Sequence, residues 1–254
     1  MAISVVDIPQ PKRVIQLNGQ RRNTTPHKID LVRRAEIAAE KRNRTRALIL
    51  VAAFRLIGEE SGQFQRVEDF CSAAQVSRGT FYKYFTGIAN LYTVLADELS
   101  ADFDAAVHQV MDVKVTSAAR ASAAVRYYLR AAIENPRWGW AMVHTSMGRE
   151  IFGPDVSARA KATIEDGIAS GEFGLSEAEM GKALLLGACL GGTLDILYAR
   201  ATTAYPEKMA HRILLGLGVE AQLAKSVSQE PLPALQSLRI DTGASPVNYW
   251  AELP

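Results

Sequence analysis

Cysteine is scarce in this chain, with two among 254 residues. Cys71 and Cys189 lie far apart, each inside an apolar helical pattern, so the sequence excludes both a disulfide framework and a CxxC metal or redox site; both read as buried, reduced thiols. Long hydrophobic runs are missing too. The longest, Ala183 to Leu194, is interrupted by three glycines and ends at Asp195; it falls short of the ~20 residues that cross a bilayer, so no membrane partner is expected. The opening stretch MAISVVDIPQPKRVIQLNGQRRN lacks the charged start, apolar core and small-residue cleavage site of a signal peptide, which points to a cytoplasmic chain. His27, His108, His144 and His211 are too scattered for a metal motif, and no HExxH, GxxxxGKS/T or GxSxG string occurs. The expectation is a protein that is not an enzyme, with no catalytic residues, no metal and no cofactor.

What is present is a globular composition, 48% hydrophobic and 22% charged, long enough for one large domain or two smaller ones. The net charge of +2 hides a division. Residues 1–90 hold 15 Lys/Arg against 8 Asp/Glu, a balance of +7, while residues 91–254 hold 14 against 19, a balance of −5. A basic first third joined to an acidic remainder suits a polyanion-binding segment carried by a domain with another task.

Residues 1–43 read as a basic arm, partly helical. Prolines at 9, 11 and 26 and the pairs Lys12–Arg13 and Arg21–Arg22 precede a proline-free run of good helix formers that starts at Asp30, a candidate N-cap. In that run Ile49, Ala52, Ala53, Leu56 and Ile57 recur at helical spacing, and Ser61–Gly62 supplies a stop. Helical patterns then follow one another without an alternating strand, so the fold class is all-α. The spacing predicts helices at Val67–Ala74, Arg78–Phe85, Ala89–Met111, Ser117–Glu134, Trp138–Arg149, Pro154–Ser170, Glu177–Ala201 and Glu207–Leu217. Asn135–Pro136 and Phe152–Gly153–Pro154 mark breaks, and Leu175–Met180 offers a capping box from Ser176 to Glu179 with a Leu175/Met180 staple. After Gly218, prolines at 231, 233, 246 and 254 leave the extension 219–254 either docked or loose.

Val67–Tyr84, VEDFCSAAQVSRGTFYKY, has the pattern of a helix-turn-helix around a tight Ala74–Gln75–Val76 turn. Phe70, Ala73, Ala74, Val76, Phe81 and Phe85 would form a small core, and Ser77 would cap the second helix. Outward lie Arg78, Gly79, Thr80, Tyr82, Lys83 and Tyr84: donors, two cations and a residue without a side chain within two helical turns, a surface suited to a DNA groove. On these residues the block Thr45–Leu95 resembles the DNA-binding domain of the tetracycline-repressor (TetR) family of bacterial transcription regulators. The match runs through Arg46, Ile49, Ala52, Ala53 and Leu56, then Val67, Asp69 and Ala73, then the gapless VSRGTFYKYF from Val76 to Phe85, and Leu91. Gln75 departs where the family commonly has a turn glycine, and Ile88 where it commonly has a phosphate-binding lysine.

The resemblance implies a helix-turn-helix DNA-binding domain at 44–90 and a helical regulatory and dimerisation domain at 91–218. It further implies a homodimer on a palindromic double-stranded DNA operator and an unidentified small-molecule effector that releases it. Arg78, Thr80, Tyr82 and Lys83 fall on recognition positions, Tyr84 on a phosphate-contacting position, and Gln65 and Arg66 where the second helix meets the DNA backbone; Ser77 and Gly79 complete the surface. Arg33, Arg34, Lys41, Arg42, Arg44 and Arg46 extend it with positive charge suited to flanking phosphates.

By the same analogy Glu177–Ala201 and Glu207–Leu217 are dimer helices, with Gly187, Gly191, Gly192, Asp195 and Tyr198 at the interface. Mid-helix glycines cost about 1 kcal/mol each against alanine, so a close helix contact is expected there, with a second copy or with a neighbour in the same subunit. Tyr127, Tyr128, Trp138, Trp140, Met142, His144 and Met147 are pocket candidates. Trp138 and Met142 share one helix face and Trp140, His144 and Met147 another, so both sets cannot line one cavity. Two functions stand: a repressor released by a small molecule, and a DNA-binding protein of the same fold whose helical domain binds a protein partner instead. A closed cavity of a few hundred cubic ångströms would favour the first.

Overall fold

A computed structural model describes residues 28–114, 116–146 and 150–233. Among these residues the secondary structure is helical throughout, with ten α-helices, one 3-10 turn and no strand. The chain divides into two units, Met1–Arg42 and Asn43–Pro254. To the first belongs the beginning of α1 (Lys28–Ile57), where residues 32–38 are all solvent-exposed; residues 1–27 of the basic arm lie outside the described residues.

In the second unit, α1 ends four residues before the expected Ser61–Gly62 stop. The Gly58 N–H closes on the Phe54 carbonyl at 2.9 Å, and a Cβ at Gly58 would run into the Arg137 side chain. A 3-10 turn, Glu60–Phe64, follows; in it Gly62 lies against the Ile57 backbone, where a Cβ would come within 2.6 Å of the Ile57 Cα. The next helix, α2 (Val67–Ala73), closes in a Schellman motif: the Val76 N–H bonds the Cys71 carbonyl (3.0 Å), the Gln75 N–H bonds the Ser72 carbonyl (3.2 Å), and Gln75 adopts a left-handed φ of +54°.

The helix α3 (Arg78–Phe81) is shorter than the expected Arg78–Phe85. Beyond Phe81 the chain tightens into i→i+3 bonds, Lys83 to Thr80 and Tyr84 to Phe81, so Tyr82–Tyr84 sit on a tight turn. Ile49, Ala53, Phe54 and Ile57 of α1, Phe70 of α2, and Phe81 and Phe85 are all buried, and α4 (Ile88–Asp112) adds Leu91 and Leu95 to the same core. Ala73, expected there as well, is exposed; the helix ends with it, and Ala74 turns inward in its place.

The remaining helices gather around α5 (Ser117–Glu134), which touches α4, α6 (Pro136–Ser146), α7 (Pro154–Ala169), α8 (Ala178–Leu197), α9 (Tyr205–Gly216) and α10 (Ala221–Gln229). Its bounds match the expected ones because the Thr116 hydroxyl accepts the Ala119 N–H at 3.1 Å and Asn135–Pro136 closes the other end. The same Asn-Pro pair starts α6 two residues early: Asn135 Oδ1 accepts the Trp138 N–H at 3.0 Å, and Pro136 opens the helix.

The capping box at Ser176 does not form. Glu177 is the N-cap of α8 and Met180 is 62% exposed. Glu179 instead pairs with Lys161 (2.8 Å) and Lys182 (2.7 Å), two ammonium groups that hold its carboxyl down to about 2. With 20 residues α8 is also long and apolar enough, by length and composition, to cross a bilayer, contrary to the reading of its glycine-interrupted middle; one side of it, with Leu185, Leu186, Cys189 and Thr193, is buried in the bundle. The extension after Gly218 docks through α10, capped by the Glu220 carboxylate on the Gln222 and Leu223 N–H groups (2.9 and 2.8 Å). Its residues 234–254 lie outside the described residues.

Candidate nucleic-acid interface and regulatory cavity

Ser77 caps α3 as expected, its Oγ accepting the Thr80 N–H at 3.1 Å and lying 2.9 Å from the Thr80 hydroxyl. With Phe70, Phe81 and Phe85 buried beneath, the turn presents Arg78, Gly79, Tyr82 and Lys83 to solvent, with Thr80 and Tyr84 half-buried beside them. A Cβ at Gly79 would meet only Ser77 Oγ, at 3.9 Å, so that position is open to close approach from outside. The Arg78 guanidinium lies 2.8 Å from the Glu68 carboxylate; its hydrogen bond with Tyr82, and then Glu68, raise its already high pKa. Both partners of that ion pair are more than half exposed. Exposed pairs of this kind are screened by water and add little to stability, so a base edge or a phosphate can displace Glu68 at little cost.

Arg66 is exposed and Gln65 half-buried at the start of α2, and Arg44 is exposed on α1. Arg46 differs: its guanidinium is 2.7 Å from the Glu98 carboxylate, an ion pair that ties α1 to α4. Ile88, the apolar residue at the start of α4, packs against the core.

A cavity of about 60 Å³ lies among α4, α5, α7 and α8, smaller than the few hundred cubic ångströms expected. Its walls are almost wholly apolar, with Val107 and Met111 from α4, Val125 from α5, Val156 from α7, and Leu185 and Leu186 from α8; His108, Tyr128, Arg159, Thr163 and Cys189 also line it. Burial pushes the Cys189 thiol up to about 12. Phe152 closes one end in a left-handed backbone (φ +62°), its N–H bonded to Ser146 Oγ at 3.0 Å and its ring 4.8 Å from that of Tyr128. A bulky residue held there stores about 1–3 kcal/mol of strain.

Of the described pocket candidates only Tyr128 reaches this cavity. Trp138 and Met142 are core: the Trp138 indole donates to the Leu99 carbonyl (3.3 Å) and packs on Phe103 and Tyr128. Tyr127 is buried elsewhere, donating to the Pro233 carbonyl at 2.8 Å. Trp140 stacks on His144 (5.5 Å) and meets the Tyr198 ring edge-on (5.2 Å), a separate cluster. His144 Nδ1 lies 2.7 Å from the Ile57 carbonyl and must donate to it, while burial keeps its pKa below the ordinary value despite that bond. Met147 lies outside the described residues. Sequence reasoning missed the true lining because its small and aliphatic residues come from four helices, each looking like ordinary core.

The dimer candidates also divide. Gly187 and Gly191 are exposed, with nothing within 4 Å of a Cβ on either. They continue a stripe spaced alternately by four and three residues, Met180, Leu184, Gly187, Gly191, Leu194 and Tyr198, in which Met180, Leu184 and Tyr198 are 62%, 39% and 42% exposed. Gly192 faces inward, where a Cβ would come within 3.1 Å of Leu129 and 3.2 Å of Met209, so its close contact is with its own subunit. Asp195 is half-exposed and is engaged within the subunit, accepting the Tyr205 hydroxyl at 2.6 Å and lying 3.9 Å from the Arg200 guanidinium; burial and the Asp195 bond push Tyr205 up to about 12.

Residues 117–230, α5 through α10, match the family described as the tetracyclin repressor-like C-terminal domain. The chain carries a TetR-like C-terminal domain. Preceded by the helix-turn-helix, the TetR-like domain gives the chain the architecture of solved TetR-type regulators. Among similar folds is RolR in complex with resorcinol, with a TM-score of 0.60 and 23% identity over 78% of this chain and 99% of that one. Another is the regulator FadR from Bacillus subtilis in complex with stearoyl-CoA, with a TM-score of 0.53 and 16% identity over 69% and 98%. A TetR family regulator from Marinobacter aquaeolei aligns with a TM-score of 0.52 and 15% identity over 70% and 98%. At such identities the fold is what is shared. No curated protein matches the chain in sequence.

Proposed function

We propose that this protein is a transcriptional regulator, a repressor that binds a palindromic double-stranded operator as a homodimer and is released by a small effector held in its helical domain. The observation that carries the reading is the α3 surface: Arg78, Gly79, Tyr82 and Lys83 are exposed together above a fully buried aromatic core, on a turn fixed by the Ser77 cap. Arg66, Gln65 and Tyr84 flank it. A rigid platform with donors outward is what base readout and phosphate contact require. The exposed α8 stripe supports the second copy, because an apolar face of that length is seldom left to water, and two-fold symmetry then repeats the surface once per half-site.

The cavity supports the effector. Resorcinol in RolR and stearoyl-CoA in FadR differ greatly in size, and a space of about 60 Å³ suits a small ligand or one that widens it. That size also keeps the second reading in view, a helical domain that answers to a protein partner; stabilisation of the chain by small compounds in thermal melts separates the two.

The reading is tested on an operator selected from random duplexes. Arg78→Ala should cost about 1–3 kcal/mol at that site with much less effect on random DNA, whereas Tyr84→Ala should weaken both evenly. If both variants bind the operator as the wild type does, the assignment of this surface is wrong.

A further inference from the structure

The end of α10 and the segment that follows it lie against the end of α4 and are pinned there by α5. The Ser122 hydroxyl donates to the Val227 carbonyl (3.0 Å), the Arg126 guanidinium to the Glu230 carbonyl (2.7 Å) and the Tyr127 hydroxyl to the Pro233 carbonyl (2.8 Å). Lys114, two residues beyond α4, pairs with the Glu230 carboxylate at 2.9 Å. Leu232 packs on a small cluster of Val107, Val110, Met111, Ala123 and Tyr127, set apart from the main core. Val107 and Met111 thus belong both to the cluster that Leu232 packs on and to the cavity wall.

We propose that residues 230–233 form a latch over the cavity, holding the last turns of α4 against α5, and that the cavity opens when the latch releases. Two ties reach latch carbonyls, at Glu230 and Pro233, and the third anchors Val227 at the end of α10, so the latch is held by its backbone path, by the Lys114–Glu230 ion pair and by one apolar side chain. It is closed at rest, because release would strip the buried Arg126, 2% exposed, of a charge-assisted hydrogen bond in a place water does not reach. The opposite end of α4 carries Leu91 and Leu95 in the helix-turn-helix core, and its 25 residues span about 37 Å. Freeing one end of such a rod lets a change at the cavity reach the DNA-binding module. That regulatory meaning rests on the effector reading above; the latch itself rests on the hydrogen bonds, the ion pair and the Leu232 packing.

Cys189 lines the cavity and reports its opening without any knowledge of the effector, and Cys71, buried in the helix-turn-helix, serves as the internal standard. Full-length protein is exposed to iodoacetamide at pH 8 and each cysteine followed by peptide mass. In Leu232→Ser, and more so with Tyr127→Phe added, Cys189 should label at least ten times faster than in the wild type while the rate at Cys71 is unchanged. In the same variants hydrogen exchange should quicken at residues 103–112 and 221–229 and not along α8. An unchanged Cys189 rate overturns the latch, and so does equal acceleration of both cysteines, which would mean general loosening. These readouts use no DNA, so failure of the latch and failure of the regulator reading are told apart.

Discussion

Gln75 holds a left-handed backbone that glycine adopts freely and a residue with a Cβ does not. Its place is fixed by the Schellman bonds that end α2, so the strain persists in the folded state. Gln75→Gly should therefore raise stability by up to about 1 kcal/mol in urea denaturation; a loss would mean that the glutamine side chain holds the turn in some other way. His144 poses the opposite question. Burial sets its folded pKa below the ordinary value, so the unfolded chain takes up the proton more readily, and the stability His144 confers is complete above a pH of about 6.5 and falls as acid is added. His144→Gln keeps an N–H for the Ile57 carbonyl and removes the titration. Its melting temperature should drop less than that of the wild type between pH 7 and 5, and parallel losses would refute the role. The sequence marks Gln75 as a turn residue where glycine is common, and His144 reads as readily as a satisfied, partly buried histidine as a ligand contact; the left-handed backbone at Gln75 and the Ile57 carbonyl as the partner of His144 are what it does not show.

At the scale of the helix, α1 carries more charge than its core packing needs. Its exposed opening bears Arg33 and Arg34, and Lys41, Arg42 and Arg44 follow. Deleting residues 1–40 removes seven Lys/Arg and four Asp/Glu. If the arm meets flanking phosphates, the slope of log affinity against log salt should flatten by about 0.9 for each phosphate no longer neutralised; an unchanged slope rejects the arm's part in binding. Helices whose ends carry their own chemistry could be placed from sequence, as with Thr116 and Asn135 around α5. The end of α3 could not, since it tightens to bury Phe85. The start of α8 could not either, because Lys161 on another helix draws Glu179 away from the cap.

For the whole molecule, the homodimer proposed above rests on the α8 stripe. Gly187→Glu would place a carboxylate in the middle of an apolar face that is open in the subunit, so sedimentation should show monomers at concentrations where the wild type is dimeric, with the fold intact. Gly192→Val should instead press on Leu129 and Met209 and lower subunit stability by about 1–3 kcal/mol. A Gly187→Glu variant that stays dimeric would remove this stripe as the interface.

Periodicity and capping chemistry are local, and they alone determined that the described residues are all-helical, that a helix-turn-helix lies within Val67–Tyr84, and, Ala73 apart, which side of it faces outward. The cavity, the latch and the division of the α8 glycines arise where four or five helices meet. Whether Gly191 faces water and Gly192 faces Leu129, or whether a tryptophan lines a cavity or fills the core, depends on the rotation of one helix against its neighbours. That rotation is set by the packing of distant residues, and no run of adjacent residues encodes it.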